Sequence, residues 1–155
     1  MPKGWKIPVS TLIVIHDSAL NALLLERADF PDHWQSVTGS QEPGETLAET
    51  ATREVFEETG IDAPAYGGVV DWRVCNVYEI YLQWHQRYPP GTTHNMEHVF
   101  GLCVPGDVHA ILAASEHVSS CWVPWREAAA KCFSWSNREA LLRLAQRAGV
   151  DQRKP

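Results

Sequence analysis

Nowhere does the chain hold an apolar run approaching the ~20 residues that a bilayer-spanning helix needs. Its opening residues, MPKGWKIPVS, lack the apolar stretch of a secretion signal. Cysteine is sparse and poorly spaced: Cys75, Cys103, Cys121 and Cys132 form no C-x-x-C pair, which argues against a zinc site or a disulfide framework and for reduced thiols. Positive charge is also short. Lys and Arg number 13 against 19 Asp and Glu, a formal net charge of −6, so the basic face of a general nucleic-acid binder is not expected. Together these absences point to a cytoplasmic protein with neither membrane nor nucleic acid as a partner. No repeat or linker divides the 155 residues, and 45% hydrophobic content suits one domain spanning 1–155 with a substantial core. Trp is oversupplied at 7, enough for some to line a site for a flat ring.

The pattern of residues predicts alternating strands and helices. Pro8 to His16 and Ala22 to Glu26 read as a hairpin across the turn Asp17 to Asn21, and Asp29 to His33 reads as a loop. Val69 to Trp84 is an aromatic and β-branched stretch forming one long strand or two. Arg87 to Met96 must turn, Glu97 to Pro105 returns as a strand, and Gly106 to Ser115 has room for a short helix. Pro124 stands near the start of a helical run, WREAAAKC. Ser136 is the expected cap of a last helix over Asn137 to Ala148, with Ala140, Leu141, Leu144 and Ala145 on one face, and a frayed polar tail follows over Asp151 to Pro155. This order suits an α/β fold in which a mixed sheet is covered by helices.

One segment, GSQEPGETLAETATREVFEETGI from Gly39 to Ile61, is denser in acid than the rest. Thr46 with Glu49 forms a capping box, and Gly60 is suited to a left-handed C-terminal position, so a helix over Leu47 to Thr59 is predicted. Leu47, Ala51 and Val55 make its buried stripe. Glu54 and Glu58 lie four apart with Glu57 beside them, so three carboxylates are expected to crowd one region of the surface, a like-charge arrangement that costs about 0.2–0.5 kcal/mol per pair in water. A hard divalent cation such as Mg²⁺ removes that penalty, since it takes carboxylate oxygens and shares its remaining positions with water and substrate phosphates. Arg53 breaks the acidic run and is expected to pair with Glu45, fixing the loop against the helix.

Gly39, Glu45, the run Arg53-Glu54-Val55, the pair Glu57-Glu58 and Gly60-Ile61 match the Nudix box at every defining position, and the chain therefore resembles a Nudix hydrolase. The resemblance implies an α/β/α sandwich and the use of Mg²⁺, or Mn²⁺ in its place, to cleave diphosphate linkages by attack of water on phosphorus. Outside the box, WQSVTGS (34–40), HQRYPPGTTHNMEH (85–98), SEHVSSCW (115–122) and SWSNREAL (134–141) resemble the bacterial dihydroneopterin triphosphate diphosphatases, the folate-pathway branch of that family.

Carried over residue by residue, the likeness implies that Glu54 and Glu58 bind metal, with Glu57 and Glu116 as further ligands or as the base, and it places Arg53 in the catalytic set. It implies Lys6, Arg27 and Thr38 near the phosphates or the sugar-like chain, Tyr78, Glu79, Ile80 and Tyr81 along the substrate, and Ser134 reaching it from the start of SWSN. Trp34, Trp84, Tyr78 or Tyr81 would stack on the pterin. The implied partner is a small-molecule triphosphate, with no oligomeric state specified. A pyrophosphatase for dATP or oxidised purine triphosphates is the rival enzyme; a non-catalytic ligand-binding Nudix domain is the rival of another class.

Overall fold

The computed structural model describes residues 4–149; the expected polar tail over Asp151 to Pro155 lies outside them. Strands β1 (Val9–His16) and β2 (Asn21–Arg27) are apolar through their middles, and both faces of each are buried. They therefore lie inside the molecule with a helix layer on either side. β1 pairs antiparallel with β2 at one end and with β4 (Val37–Ser40) along its first half, and parallel with β6 (His94–Cys103) along its whole length. β2 pairs with β3 (Trp34–Gln35) and β7 (His117–Pro124), and β5 (Val70–Glu79) closes the far edge against β6. The seven strands form one mixed sheet.

On one face sits α1 (Leu47–Thr59), its Ala51 and Val55 packed with Ile13, Leu23, Leu25, Phe100 and Leu102. On the other sit α2 (Trp125–Lys131) and α3 (Trp135–Arg147), whose Ala128, Ala140, Leu141 and Leu144 meet Leu12, Val14, Leu24 and Val99. Each large side chain removed from water there contributes roughly 1.5–3 kcal/mol before entropy is counted. The α/β/α sandwich implied by the sequence is the fold.

Several local expectations shift. The lead-in 34–40 is two short strands, the aromatic stretch stops as strand at Glu79 and turns through a 3₁₀ segment at Leu82–Arg87, and β6 begins at His94. Residues 106–115 form no helix, because their backbone bonds outward: Ile111 N–H donates to Thr59 O at 2.7 Å, and Val108 O accepts from Trp122 Nε1 at 3.0 Å. Ser134, two residues before the expected cap, caps the start of α3 by accepting from Asn137 N–H at 3.2 Å. Asn137 docks the helix instead, accepting from Ser36 N–H at 2.8 Å and donating to Ser36 Oγ at 2.9 Å. The four cysteines are unpaired with one another. No helix among the described residues is long and apolar enough to cross a membrane.

Candidate active site

Helix α1 carries the acidic end of the site. Thr46 Oγ1 accepts from Glu49 N–H at 3.1 Å and Glu49 returns the bond to Thr46 N–H at 2.8 Å, so the first turn is fixed from its own sequence. Gly60 ends the helix at φ 73°, a conformation that a side chain would strain. Between these ends Arg53 clamps the preceding loop. Its guanidinium donates to both oxygens of Glu45 at 2.6 and 2.9 Å, to Glu54 at 2.7 Å, to Glu57 at 3.2 Å and to Ser40 O at 3.1 Å. That bidentate bond holds Glu45 at about 2, well below the usual carboxylate range.

The acids are not equivalent. Glu57 is the open one, with 53% of its side chain exposed. Glu58 is 2% exposed, so the expectation of three carboxylates crowded on a surface is corrected: the turn of α1 points Glu58 into the protein. Burial raises the Glu58 carboxyl well above its ordinary range, followed by the hydrogen bond to Glu54 and the charges of Glu54 and Glu116; the Thr38 N–H opposes this. Burial also raises Glu54, against Arg53. β4 passes so close that a Cβ on Gly39 would run into the Glu54 carboxyl. The glycine of the box is thus a spatial requirement of its glutamate.

Cations and amides line the neighbouring wall. Arg27, at the end of β2, donates to Asp29 twice at 2.8 Å and to Gln35 Oε1 at 3.2 Å. That bond orients the Gln35 amide, whose Nε2 donates to Thr38 Oγ1 at 3.3 Å and faces His117 Nε2 at 3.4 Å. The contact assigns the lone pair to His117 Nε2 and the proton to Nδ1. Burial, then Arg27, lowers His117 to about 4, so its 3.9 Å approach to Glu58 is that of a neutral ring and not an ion pair. Lys6 also lines this wall, its proton loosened first by burial and then by Arg87.

A cavity of about 800 Å³ runs from these groups to an aromatic end. Tyr81 and Phe133 flank Trp84, with ring centroids 5.3 and 6.1 Å away, and the Arg27 guanidinium lies 4.5 Å over the Trp84 ring. Lys6, Arg27, Thr38, Arg53, Glu54, Glu57, Glu58, Tyr78, Tyr81, Glu116 and Ser134 all line this one cavity. Three expected residues do not. Glu79 is exposed, because strand alternation turns it away from Tyr78, and Ile80 is buried with its carbonyl against His85 Nε2 at 2.9 Å. Trp34 packs beside the α2–α3 core under Lys131, 4.8 Å from its ring.

Sequence reasoning passed over Gln35, Arg87, Tyr88, Glu97, Ser136 and His117, which also line the cavity. Only the alternation of β6 hinted that Glu97 points inward. Among the described residues, five buried side-chain atoms lack a hydrogen-bond partner: Glu58 Oε1, Trp84 Nε1, Asn95 Oδ1, Glu97 Oε1 and His117 Nδ1. Four of the five belong to residues lining the cavity. Folded proteins leave few such groups, and their concentration here marks a ligand site.

The acidic end suits a hard cation. Glu58 Oε1 is unpartnered, Glu54 and Glu58 repel when both are charged, and ligand atoms of Glu58, Glu116 and His117 lie within 4.8 Å of one another.

Comparison with known proteins agrees with the geometry. The family model for the NUDIX domain matches residues 6–144. The chain is 42% identical over 141 residues to the dihydroneopterin triphosphate diphosphatase of Escherichia coli (strain K12), covering 90% of this chain and 93% of that protein. It is 37% identical over 139 residues to the enzyme of the same name from Haemophilus influenzae, covering 88% and 87%. The solved structure of the E. coli dihydroneopterin triphosphate pyrophosphohydrolase superposes with a TM-score of 0.87 at 40% identity, over 94% of this chain and 99% of that one. With a box helix, a buried Glu58 beside a half-buried Glu54 and relatives matched along most of its length, the chain belongs to the Nudix family as a pyrophosphohydrolase, a class of enzyme that uses divalent metal ions.

Proposed function

We propose that this enzyme hydrolyses dihydroneopterin triphosphate to dihydroneopterin monophosphate and pyrophosphate with Mg²⁺, Mn²⁺ serving in its place, in the cytoplasm. The observation that carries the reading is one cavity with the unpartnered Glu58 Oε1 among carboxylates at one end and an aromatic wall with the unpartnered Trp84 Nε1 at the other. That arrangement fits a polyphosphate joined to a flat polar ring. The likeness to relatives bearing that enzyme name extends well beyond the box, over 90% of the chain.

Glu54, Glu58 and Glu116 would hold the metal, which when bound offsets the charge of the polyphosphate and of the transition state. The chain's own groups do the rest. Lys6 and Arg27 meet phosphate oxygens, and a bound polyanion restores the proton that burial loosens on Lys6. Thr38 Oγ1 accepts from Gln35 and Ser134 Oγ accepts from Asn137, so each hydroxyl keeps its proton to donate to substrate. With the other acids engaged as ligands, Glu57 is the exposed carboxylate left to accept the proton of the attacking water. The water oxygen joins phosphorus at the α–β anhydride, that P–O bond breaks, and pyrophosphate departs. Arg53 serves by holding Glu45, Glu54 and Glu57 in place. Tyr81 and Trp84 stack on or border the ring, an interaction worth roughly 1–3 kcal/mol for a base-like ring.

The test is pyrophosphate release, with and without Mg²⁺, from dihydroneopterin triphosphate, dATP and 8-oxo-dGTP. The highest kcat/KM is expected for the pterin substrate. A higher value for either nucleotide would replace the substrate reading with that of a nucleotide pyrophosphatase. No turnover of any triphosphate would leave a binding domain.

A further inference from the structure

One of the buried unpartnered atoms has no part in metal holding or phosphate chemistry. Glu97 is 3% exposed on β6, lines the cavity, and leaves its Oε1 without a hydrogen-bond partner. Its support is a hydrogen bond with Ser136 in the first turn of α3. The register places Glu97 beside Ser10 of β1, and Ser10 beside Ser40 of β4. Two strand spacings, about 10 Å, therefore separate it from the strand that meets α1. A ring attached to a polyphosphate held at α1 would reach that depth.

We propose that Glu97 reads the ring of the substrate, its carboxylate accepting hydrogen bonds from the ring N–H and the adjacent exocyclic amino group of a 2-amino-4-oxo heterocycle. The inference rests on the pterin triphosphate reading and adds to it the residue that selects the ring. A 2-amino-4-oxo ring presents those two donors side by side, with a carbonyl acceptor next to them. A carboxylate offers two acceptors at matching spacing. An adenine edge instead presents a ring nitrogen lone pair beside its amino group, and that lone pair would oppose the carboxylate.

The surroundings fit this assignment. Asn95, on the same face of β6, donates to Ser10 Oγ at 2.7 Å and to the Tyr78 oxygen at 3.1 Å. The Tyr78 hydroxyl thus keeps its proton for a carbonyl acceptor, and burial, followed by the charge of Glu97, raises its pKa strongly so that it stays protonated. Burial, opposed by the Ser136 bond, pushes the Glu97 carboxyl up to about 7. Two ring donors would supply what the ionised form lacks.

The test compares wild type with Glu97→Gln on dihydroneopterin triphosphate, dGTP and dITP, the last having the ring of dGTP without its 2-amino group. Inorganic tripolyphosphate is added as a competitive inhibitor with no ring. Wild type is expected to favour dGTP over dITP by about 10-fold or more, the scale of a paired hydrogen-bond readout. In Glu97→Gln that ratio should fall towards one, kcat/KM for dihydroneopterin triphosphate should drop by about 10- to 100-fold mainly through KM, and the tripolyphosphate inhibition constant should hold. An unchanged dGTP-to-dITP ratio, or an equal loss of tripolyphosphate binding, would overturn the inference. If the variant does not fold, the wild-type ratio decides alone, and a value near one refutes it. With dATP measured beside them, a wild-type preference for dATP would sink the substrate reading itself, whereas retained pterin activity in the variant would sink only the role of Glu97.

Discussion

Replacing Glu58 with Gln removes one charge and almost no volume from a site that is 2% exposed. The effect splits into two parts of opposite sign. Without metal, Glu58 is destabilising when ionised, because burial and then Glu54 hold its carboxyl above the ordinary value. Its favourable contribution is present in acid and is lost as pH rises through the folded value; Gln has no such loss. The metal-free variant should therefore be at least as stable as wild type at pH 8. With metal the order reverses. Wild type at 100 times the dissociation constant for Mg²⁺ gains about 2.7 kcal/mol. For a chain of this size that is a Tm rise of about 5–10 °C. The variant, short of one ligand, should rise by no more than about 2 °C at the same Mg²⁺ concentration. Loss of a contact worth several kcal/mol in the transition state lowers kcat by about 10²- to 10⁴-fold. Thermal melts with and without Mg²⁺, beside pyrophosphate release at saturating Mg²⁺, measure both parts. Wild-type turnover together with an undiminished Mg²⁺-induced rise would refute the reasoning.

Arg53→Lys should lose the bidentate bond to Glu45 and the simultaneous hold on Glu54 and Glu57, destabilising the protein by about 1.5–3 kcal/mol in chemical denaturation and lowering kcat more than it raises KM. A stability equal to wild type would mean the clamp is replaceable by a point charge. Gly39→Ala should weaken Mg²⁺ binding by about 10-fold or more in calorimetry, since the added Cβ displaces the Glu54 carboxyl, while far-ultraviolet circular dichroism stays native. Glu97, raised to about 7 by burial, contributes stability that is fully present below its ordinary value near 4.5 and lost as pH climbs to 7. At about 1.4 kcal/mol per pH unit, wild type should lose about 3 kcal/mol across that window relative to Glu97→Gln. Parallel stability profiles for the two proteins would contradict it.

The chain order alone determined α1, its capping box, its glycine stop, the pairing of Arg53 with Glu45, and the acidic spacing that names the family. Each of these is a relation between residues at most a few turns apart, so local geometry forces it. The same reach explains why neighbouring residues misled. Glu79 and Ile80 share a segment with Tyr78 and Tyr81, yet strand alternation and burial take them away from the cavity. Tertiary structure decided what no local pattern carries: that Glu58 is buried, that Gln35 meets His117 across 82 residues, that Asn137 ties α3 to Ser36 across 101, and that Glu97 ends in the cavity with its Oε1 unpartnered. An isolated polar residue in an apolar strand reads the same whether its face is covered by a helix or opens on a ligand. Only the non-local pairing of strands and the docking of a helix end settle which environment it meets.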